Sequence, residues 1–210
     1  MPEPEPDSRV TLALLDQVGG GDEAARERLL ERHRAGLRSF VELRLDPKLR
    51  ARLDASDVVQ EVQIEAVRRL PDYLRRRPMP FRLWLRKAAH ERLLMLRRRH
   101  VGAGRRSVGR EAQLPDRSSL VLAERLLSPD PSPDEHLDRA EQVARVRAAL
   151  ARLTEADREI LLMRYYERLT YEEAACILGI EPAAARQRHG RALLRLHRAL
   201  DERNHGEGRP

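Results

Sequence analysis

The stretch from Thr170 to Leu196, TYEEAACILGIEPAAARQRHGRALLRL, reads as two helices around a sharp turn. Thr170 followed three residues later by Glu173 is a full capping box, in which each side chain can satisfy a backbone amide of the other residue. Gly179 supplies the turn after a short helix ending at Leu178. Pro182 falls at the first position of the next helix, where a missing N–H and a fixed φ are tolerated. The adjacent small residues Ala174 and Ala175 allow the second helix to cross closely over the first. Two helices joined this way form the pattern of a DNA-binding helix-turn-helix.

In the second helix Ala185, His189, Ala192 and Leu196 recur at steps of four, three and four and define the inward stripe. Arg186, Gln187, Gly190 and Arg191 then lie on the exposed side, with Arg188, Arg195 and Arg198 extending the polar face. Arginine can donate two hydrogen bonds to guanine and glutamine can pair with adenine, while outlying arginines neutralise phosphates. Gly190 costs about 1 kcal/mol against alanine in a helix interior, a cost that close approach to DNA would offset. The plainer alternative is an arginine-rich solvated face. His189 reads as a packing residue.

Working back along the chain, Leu150, Leu153, Ile160, Leu161 and Met163 carry an apolar face, and Thr154 with Asp157 forms a capping box with a shortened acid. This second domain spans 139–200. Before it, Gly102, Gly104, Pro115, Pro129, Pro131 and Pro133 punctuate 101–138, which reads as a flexible linker with a transient helix near Leu120 to Leu127.

The first domain, 11–100, shows helical spacing in Leu12, Leu15, Val18 and then Leu29, Leu30, Leu37, Val41, around the break Gly19-Gly20-Gly21-Asp22. After a break at Asp46-Pro47, Ser56 reads as the cap of a helix carrying Val58, Val59, Val62, Ala66, Val67 and Leu70. Arg75-Arg76-Arg77-Pro78-Met79-Pro80 reads as a loop. Phe81, Trp84, Leu85, Ala88, Ala89, Leu93 and Leu96 mark a further amphipathic helix. Residues 1–10 and 201–210 read as disordered tails. The fold class expected is all-α, with two small helical domains joined by a flexible linker.

Net charge is +7, from 41 basic and 34 acidic residues, but its distribution is uneven. From Arg68 to Arg99 there are 12 basic residues against only Asp72 and Glu91, a local excess of +10 suited to a polyanion. Cys176 is the sole cysteine, which removes intramolecular disulfides and any cysteine-based zinc site. There is no signal-like N-terminus and no apolar run of membrane-spanning length, so a cytoplasmic chain without membrane insertion is expected. No nucleophile elbow, phosphate loop or metal-spaced cluster occurs, and neither enzymatic activity, cofactor nor metal is expected.

Leu153-Thr154 through Arg164-Tyr165, then Leu169 to Ala175 and Leu178-Gly179, resemble region four of bacterial sigma factors, which binds the minus-thirty-five promoter element. Asp57-Val58-Val59-Gln60-Glu61 is similar to the region-two signature that docks on core RNA polymerase. Asp57, Gln60, Glu61 and Ile64 share one helical arc, while Val59, Val62, Ala66 and Leu70 face inward. Acids near a helix N-terminus are also favoured by the macrodipole alone, which is the competing explanation of Asp57. Phe81 to Ala89 resembles the helix that engages the minus-ten strand, preceded by a base-capturing loop. By that resemblance Arg82, Trp84, Arg86, Lys87 and Arg92 would meet minus-ten DNA, and Arg186, Gln187, Arg188, Gly190 and Arg191 the minus-thirty-five duplex. Basic side chains beside aromatics suit an unstacked strand, although Trp84 at helical spacing also fits a packing role.

Glu91 and Met95 depart from the family's usual polar residues, with Arg92 a candidate to offset Glu91, and Ala184 and Ala185 depart in the recognition helix. The resemblance implies a compact extracytoplasmic-function sigma factor that directs promoter-specific initiation, with core RNA polymerase, promoter DNA and an anti-sigma factor as partners. The competing readings are a stand-alone helix-turn-helix regulator and a decoy that occupies the polymerase.

Overall fold

The structure is a computed structural model, and it describes residues 6–45, 53–104, 121–123, 126 and 136–204. Among these residues there are helices and turns but no strand, and the chain divides into two compact units.

The first unit is built from α1 (Arg9–Gly19), α2 (Glu23–Arg44), α3 (Ala55–Arg76) and α4 (Phe81–Gly104). Ser8 caps α1 by accepting from the Thr11 amide, and Asp22 caps α2 by accepting from Ala25 at 2.9 Å. Between them Gly21 adopts φ of 90°, a left-handed conformation that a side chain would strain. Helices α2, α3 and α4 pack on one another around Leu29, Phe40, Val41, Val59, Val62, Phe81, Leu83 and Leu93. In α1 the inward positions are Thr11 and Leu15, while Leu12, expected on the apolar stripe, is exposed. Leu83, left out of the expected stripe, is fully buried.

Two expected boundaries shift for local reasons. The cap of α3 is Asp54, not Ser56: the Asp54 backbone is extended, its carboxylate accepts from the Ser56 amide at 2.8 Å, and the Asp57 carboxylate accepts in turn from the Asp54 amide at 3.2 Å. At the other end α3 passes through Pro71 and continues through Arg75 and Arg76, ending where the Arg77 amide donates to the Tyr73 carbonyl at 2.7 Å ahead of Pro78, which has no amide hydrogen to extend the helix. Arg77 takes a left-handed φ of 39°, so the loop is Arg77 to Pro80. The break expected at Asp46-Pro47 lies outside the described residues.

The second unit contains α5 (His136–Ala151), α6 (Glu155–Leu161), α7 (Tyr171–Leu178) and α8 (Pro182–Asn204). Both α5 and α6 pack on α8, around Leu150, Ile160, Leu161, Met163, Ala174, Ala185, Ala192 and Leu196. After α6 the chain widens into a single π turn over Leu162–Tyr166, closed by the Glu167 amide on the Leu162 carbonyl at 3.1 Å. Arg158 is buried and its Nη1 donates to the carbonyls of Leu153 (2.6 Å), Ala151 (3.3 Å) and Leu150 (3.4 Å), covering the C-terminal end of α5. Of the segment read as a linker, 101–104 belong to α4 and 136–138 to α5, and 121–123 are helical with Leu122 and Ala123 buried.

Candidate polymerase and promoter interfaces

On α3 the residues Val58, Val59, Val62, Ala66, Leu70 and Tyr73 face inward, which turns Asp57, Gln60, Glu61 and Ile64 to solvent. Ile64 is 49 % exposed, an apolar side chain without cover on an otherwise polar strip. Asp57 serves the helix cap as well, so its placement answers to the helix terminus irrespective of any partner. Glu61 accepts from both Nε and Nη2 of Arg92, at 2.7 and 2.6 Å. Two side chains expected to serve different partners are therefore bonded to each other across α3 and α4. Arg92 is thus engaged by Glu61, and Arg69 lies 3.9 Å from the Glu91 carboxylate.

The start of α4 carries Arg82, Trp84, Arg86 and Lys87, all half-buried. Trp84 packs one way against Tyr73, with ring centroids 4.7 Å apart, and against Phe81 at 5.6 Å. Its other side lines a cleft of about 340 Å³ together with Met79, Pro78, Lys87, Glu65 and Glu91. The packing role expected of Trp84 is thus observed, and the same ring also borders a cleft. Phe81 continues the aromatic cluster to His33, edge-on at 5.2 Å. Burial pushes the His33 imidazole below its ordinary value, with nearby arginines acting the same way and Asp7 opposing them. Met95 is exposed, and its sulfur lies 3.6 Å from Arg92 Nη1.

In the second unit the sequence signals translate directly into geometry. Thr170 accepts from the Glu173 amide at 3.2 Å and the Thr170 amide donates to Glu173 at 2.9 Å, the two halves of the capping box. Gly179 has φ of 64°, and the Ile180 amide reaches back to the Ala175 carbonyl at 3.1 Å, the bond that closes a left-handed helix end. Along α8, Ala185, Ala192 and Leu196 are buried and His189 half-buried, as the spacing requires. Arg186, Gln187, Gly190 and Arg191 are exposed, and Arg188 is half-buried. A Cβ at Gly190 would meet nothing within 4 Å, so no packing contact within the chain demands glycine there.

Three features escaped the sequence reading. Arg186 stands over the Tyr171 ring at 5.2 Å and 3.9 Å from the Glu172 carboxylate, so α7 restrains an arginine of the exposed arc. His189 Nδ1 is 3.0 Å from the Tyr171 hydroxyl, its Nε2 is buried without a partner, and burial, helped by Arg164, lowers its pKa. Arg195, expected to extend the polar face, is exposed and also pairs with buried Asp157, which accepts from the Thr154 hydroxyl at 2.7 Å. All three sets of contacts join separate helices, so no spacing within one helix announces them. Among the described residues no group of three or more His, Cys, Asp or Glu side chains could hold a metal ion, and no helix is long and apolar enough to cross a membrane.

Residues 29–102 match the family model of sigma-70 region 2, and residues 144–196 match that of sigma-70 region 4. These regions, in this order, are those of a transcription initiation factor. The ECF RNA polymerase sigma factor SigD of Mycobacterium tuberculosis is 32% identical over 185 residues, covering 88% of this chain and 81% of SigD. The RNA polymerase sigma factor CnrH of Cupriavidus metallidurans is 28% identical over 192 residues, covering 90% of this chain and 93% of CnrH. In fold, the chain is similar to CnrH solved with the cytosolic domain of CnrY (TM-score 0.56, 23% identity, 92% and 98% of the two chains). It is also similar to RpoE solved with the anti-sigma factor NepR from Bartonella quintana (TM-score 0.53, 20% identity, 83% and 96%). The chain belongs to the extracytoplasmic-function group of the sigma-70 family and is a promoter-directing sigma factor.

Proposed function

We propose that the two units divide promoter recognition between them. The strip of Asp57, Gln60, Glu61 and Ile64 docks on a helix of core RNA polymerase, where a mixed polar and apolar row fits a partner helix. Arg92, bonded to Glu61, holds that carboxylate in place and links the docking strip to α4. Arg82, Trp84, Arg86 and Lys87 receive the separated minus-ten strand, combining phosphate neutralisation with an aromatic surface. Helix α8 enters the major groove of the minus-thirty-five duplex, with Arg186, Gln187 and Arg191 toward base edges, Arg188 toward the backbone, and Gly190 permitting close approach.

The observation that carries this reading is the exposure of both arcs: every residue of the docking strip, and all of Arg186, Gln187, Gly190 and Arg191, faces solvent, while Val58, Val59 and Val62 of α3 and Ala185 and Ala192 of α8 are buried. The sigma factor leaves bond formation to the polymerase and acts in the cytoplasm. RpoE was solved with an anti-sigma factor, and a protein of that kind is proposed as a regulator here.

The test is reconstitution with core polymerase and genome-wide mapping of run-off starts. Transcripts beginning at a limited promoter set are expected, and absence of any association with core polymerase would overturn the proposal. Duplex binding of full specificity without polymerase would favour a stand-alone regulator instead.

A further inference from the structure

Helix α4 begins directly after Pro80, which has no side-chain oxygen to cap the exposed amides of the first turn. The missing cap comes from far away in sequence. The Asp7 carboxylate accepts from the Phe81 amide at 2.6 Å and lies 3.4 Å from the Arg82 amide. At the opposite end of the same loop, Arg77 in its left-handed conformation donates to Asp16 at 2.6 Å. Between these anchors the Tyr73 hydroxyl donates to the Met79 carbonyl at 2.9 Å. The segment that supplies both aspartates is itself fastened: Ser8 caps α1, and buried Thr11 is hydrogen-bonded to His33 at 3.2 Å, whose ring meets Phe81.

We propose that Asp7 and Asp16 are positioning residues, a brace that holds the Arg77 to Pro80 loop and the first turn of α4 in the arrangement that receives the separated strand. This inference rests on the assignment of α4 to minus-ten DNA given above. From Arg75 to Lys87 the chain carries six basic residues and no acidic one, so without nearby carboxylates this stretch would repel itself. A loop held by bonds at both ends has less freedom to lose when a strand binds, which raises the rate and extent of capture without adding any contact to DNA. The two anchors differ in weight. Asp16 and Arg77 are largely exposed and screened by solvent, whereas Asp7 is half-buried against two backbone amides. Asp7 is therefore the dominant anchor. Residues 6–8, read from sequence as part of a disordered tail, are the ones that carry it.

The experiment uses the full chain and compares Asp7→Ala with Asp7→Asn, which keeps a capping oxygen. Amide hydrogen exchange at Phe81 and Arg82 is expected to accelerate about 2- to 30-fold in Asp7→Ala, the range carried by loss of a helix cap, and to stay near the unaltered rate in Asp7→Asn. In holoenzyme on a promoter found by run-off mapping, strand opening by Asp7→Ala should fall within the same range and recover in Asp7→Asn. Affinity for core polymerase should not change. Unchanged exchange at Phe81 and Arg82 would overturn the proposal, as would faster exchange with unimpaired opening, or a uniform rise in exchange across the whole first unit. If the unaltered holoenzyme opened no promoter, the assignment of α4 would fail, and the exchange rates, which need no DNA, would separate that failure from failure of the brace.

Discussion

Replacing Arg158 with alanine should destabilise the second unit while leaving the first intact. Its Nη1 reaches three carbonyls, most closely Leu153 at 2.6 Å, and the side chain is only 3 % exposed, so water cannot replace it without opening the structure. The Leu150 carbonyl keeps a second bond from the Leu153 amide at 3.1 Å. That leaves the Leu153 and Ala151 carbonyls as the groups most affected. A buried carbonyl left without a donor costs about 1–3 kcal/mol, and the truncated stem adds a void, so the sum is about 2–4 kcal/mol. For a unit of this size that corresponds to a fall in melting temperature of about 10–25 °C. Trp84 is the sole tryptophan and lies in the first unit, so its fluorescence serves as an internal control. Far-ultraviolet circular dichroism should lose helix early while the Trp84 transition stays in place. Arg158→Met retains the apolar stem without the donors and should recover only a small part of the loss. A methionine variant melting within about 2 °C of the unaltered chain would refute the reasoning, because the stem alone would then account for the effect.

Gln60→Ala and Ile64→Asp should each weaken core polymerase association, Ile64→Asp the more because it places a charge at the apolar point of the strip; equilibrium binding to core polymerase decides, and an unchanged affinity in both would displace the docking surface from α3. Arg191→Ala should cost about 1–3 kcal/mol on the minus-thirty-five duplex if it reads a base, or lower the salt dependence of binding uniformly across sequences if it meets phosphate, and a salt titration on matched and mismatched duplexes separates the two. Glu172→Gln should loosen Arg186, lowering discrimination between duplex sequences more than total affinity, as read by competition binding. Both His33 and His189 titrate below their ordinary value of 6.5 in the folded chain, so the unfolded state binds more protons. Their contribution to stability is present above pH 6.5 and is lost as pH falls through the lowered values. Melting temperature should therefore drop on acidification, and His33→Gln with His189→Gln should flatten the slope; a melting temperature that rose on acidification would contradict the assignment.

How much of this was readable before the structure depends on the range of each interaction. The helix-turn-helix was legible because its signals are local: Thr170 and Glu173 are three residues apart, Gly179 answers to its own φ, and Pro182 to its own position. The exposed arcs of α3 and α8 followed from periodicity alone, since a helix that buries Val59, Val62 and Ala66 must turn Gln60 and Ile64 outward. Periodicity failed where the stripe had neighbours of equal hydrophobicity, as with Leu12 turned out and Leu83 turned in, because the packing partner and not the pattern chooses between them. The cap of α3 was misplaced by two residues since Asp54 and Ser56 are both competent caps, and the extended backbone at Asp54 decided.

The sequence by itself determined an all-α fold, the helix-turn-helix turn and the exposed arcs of α3 and α8, for these depend on backbone preference and spacing within a few residues. Only the tertiary structure decided which charges answer one another. Arg92 is committed to Glu61, Arg195 to Asp157, and Asp7 to an amide 74 positions along the chain. Such pairings depend on which helices meet and at what depth, and a flexible arginine or a lone aspartate carries no local signal of its eventual partner.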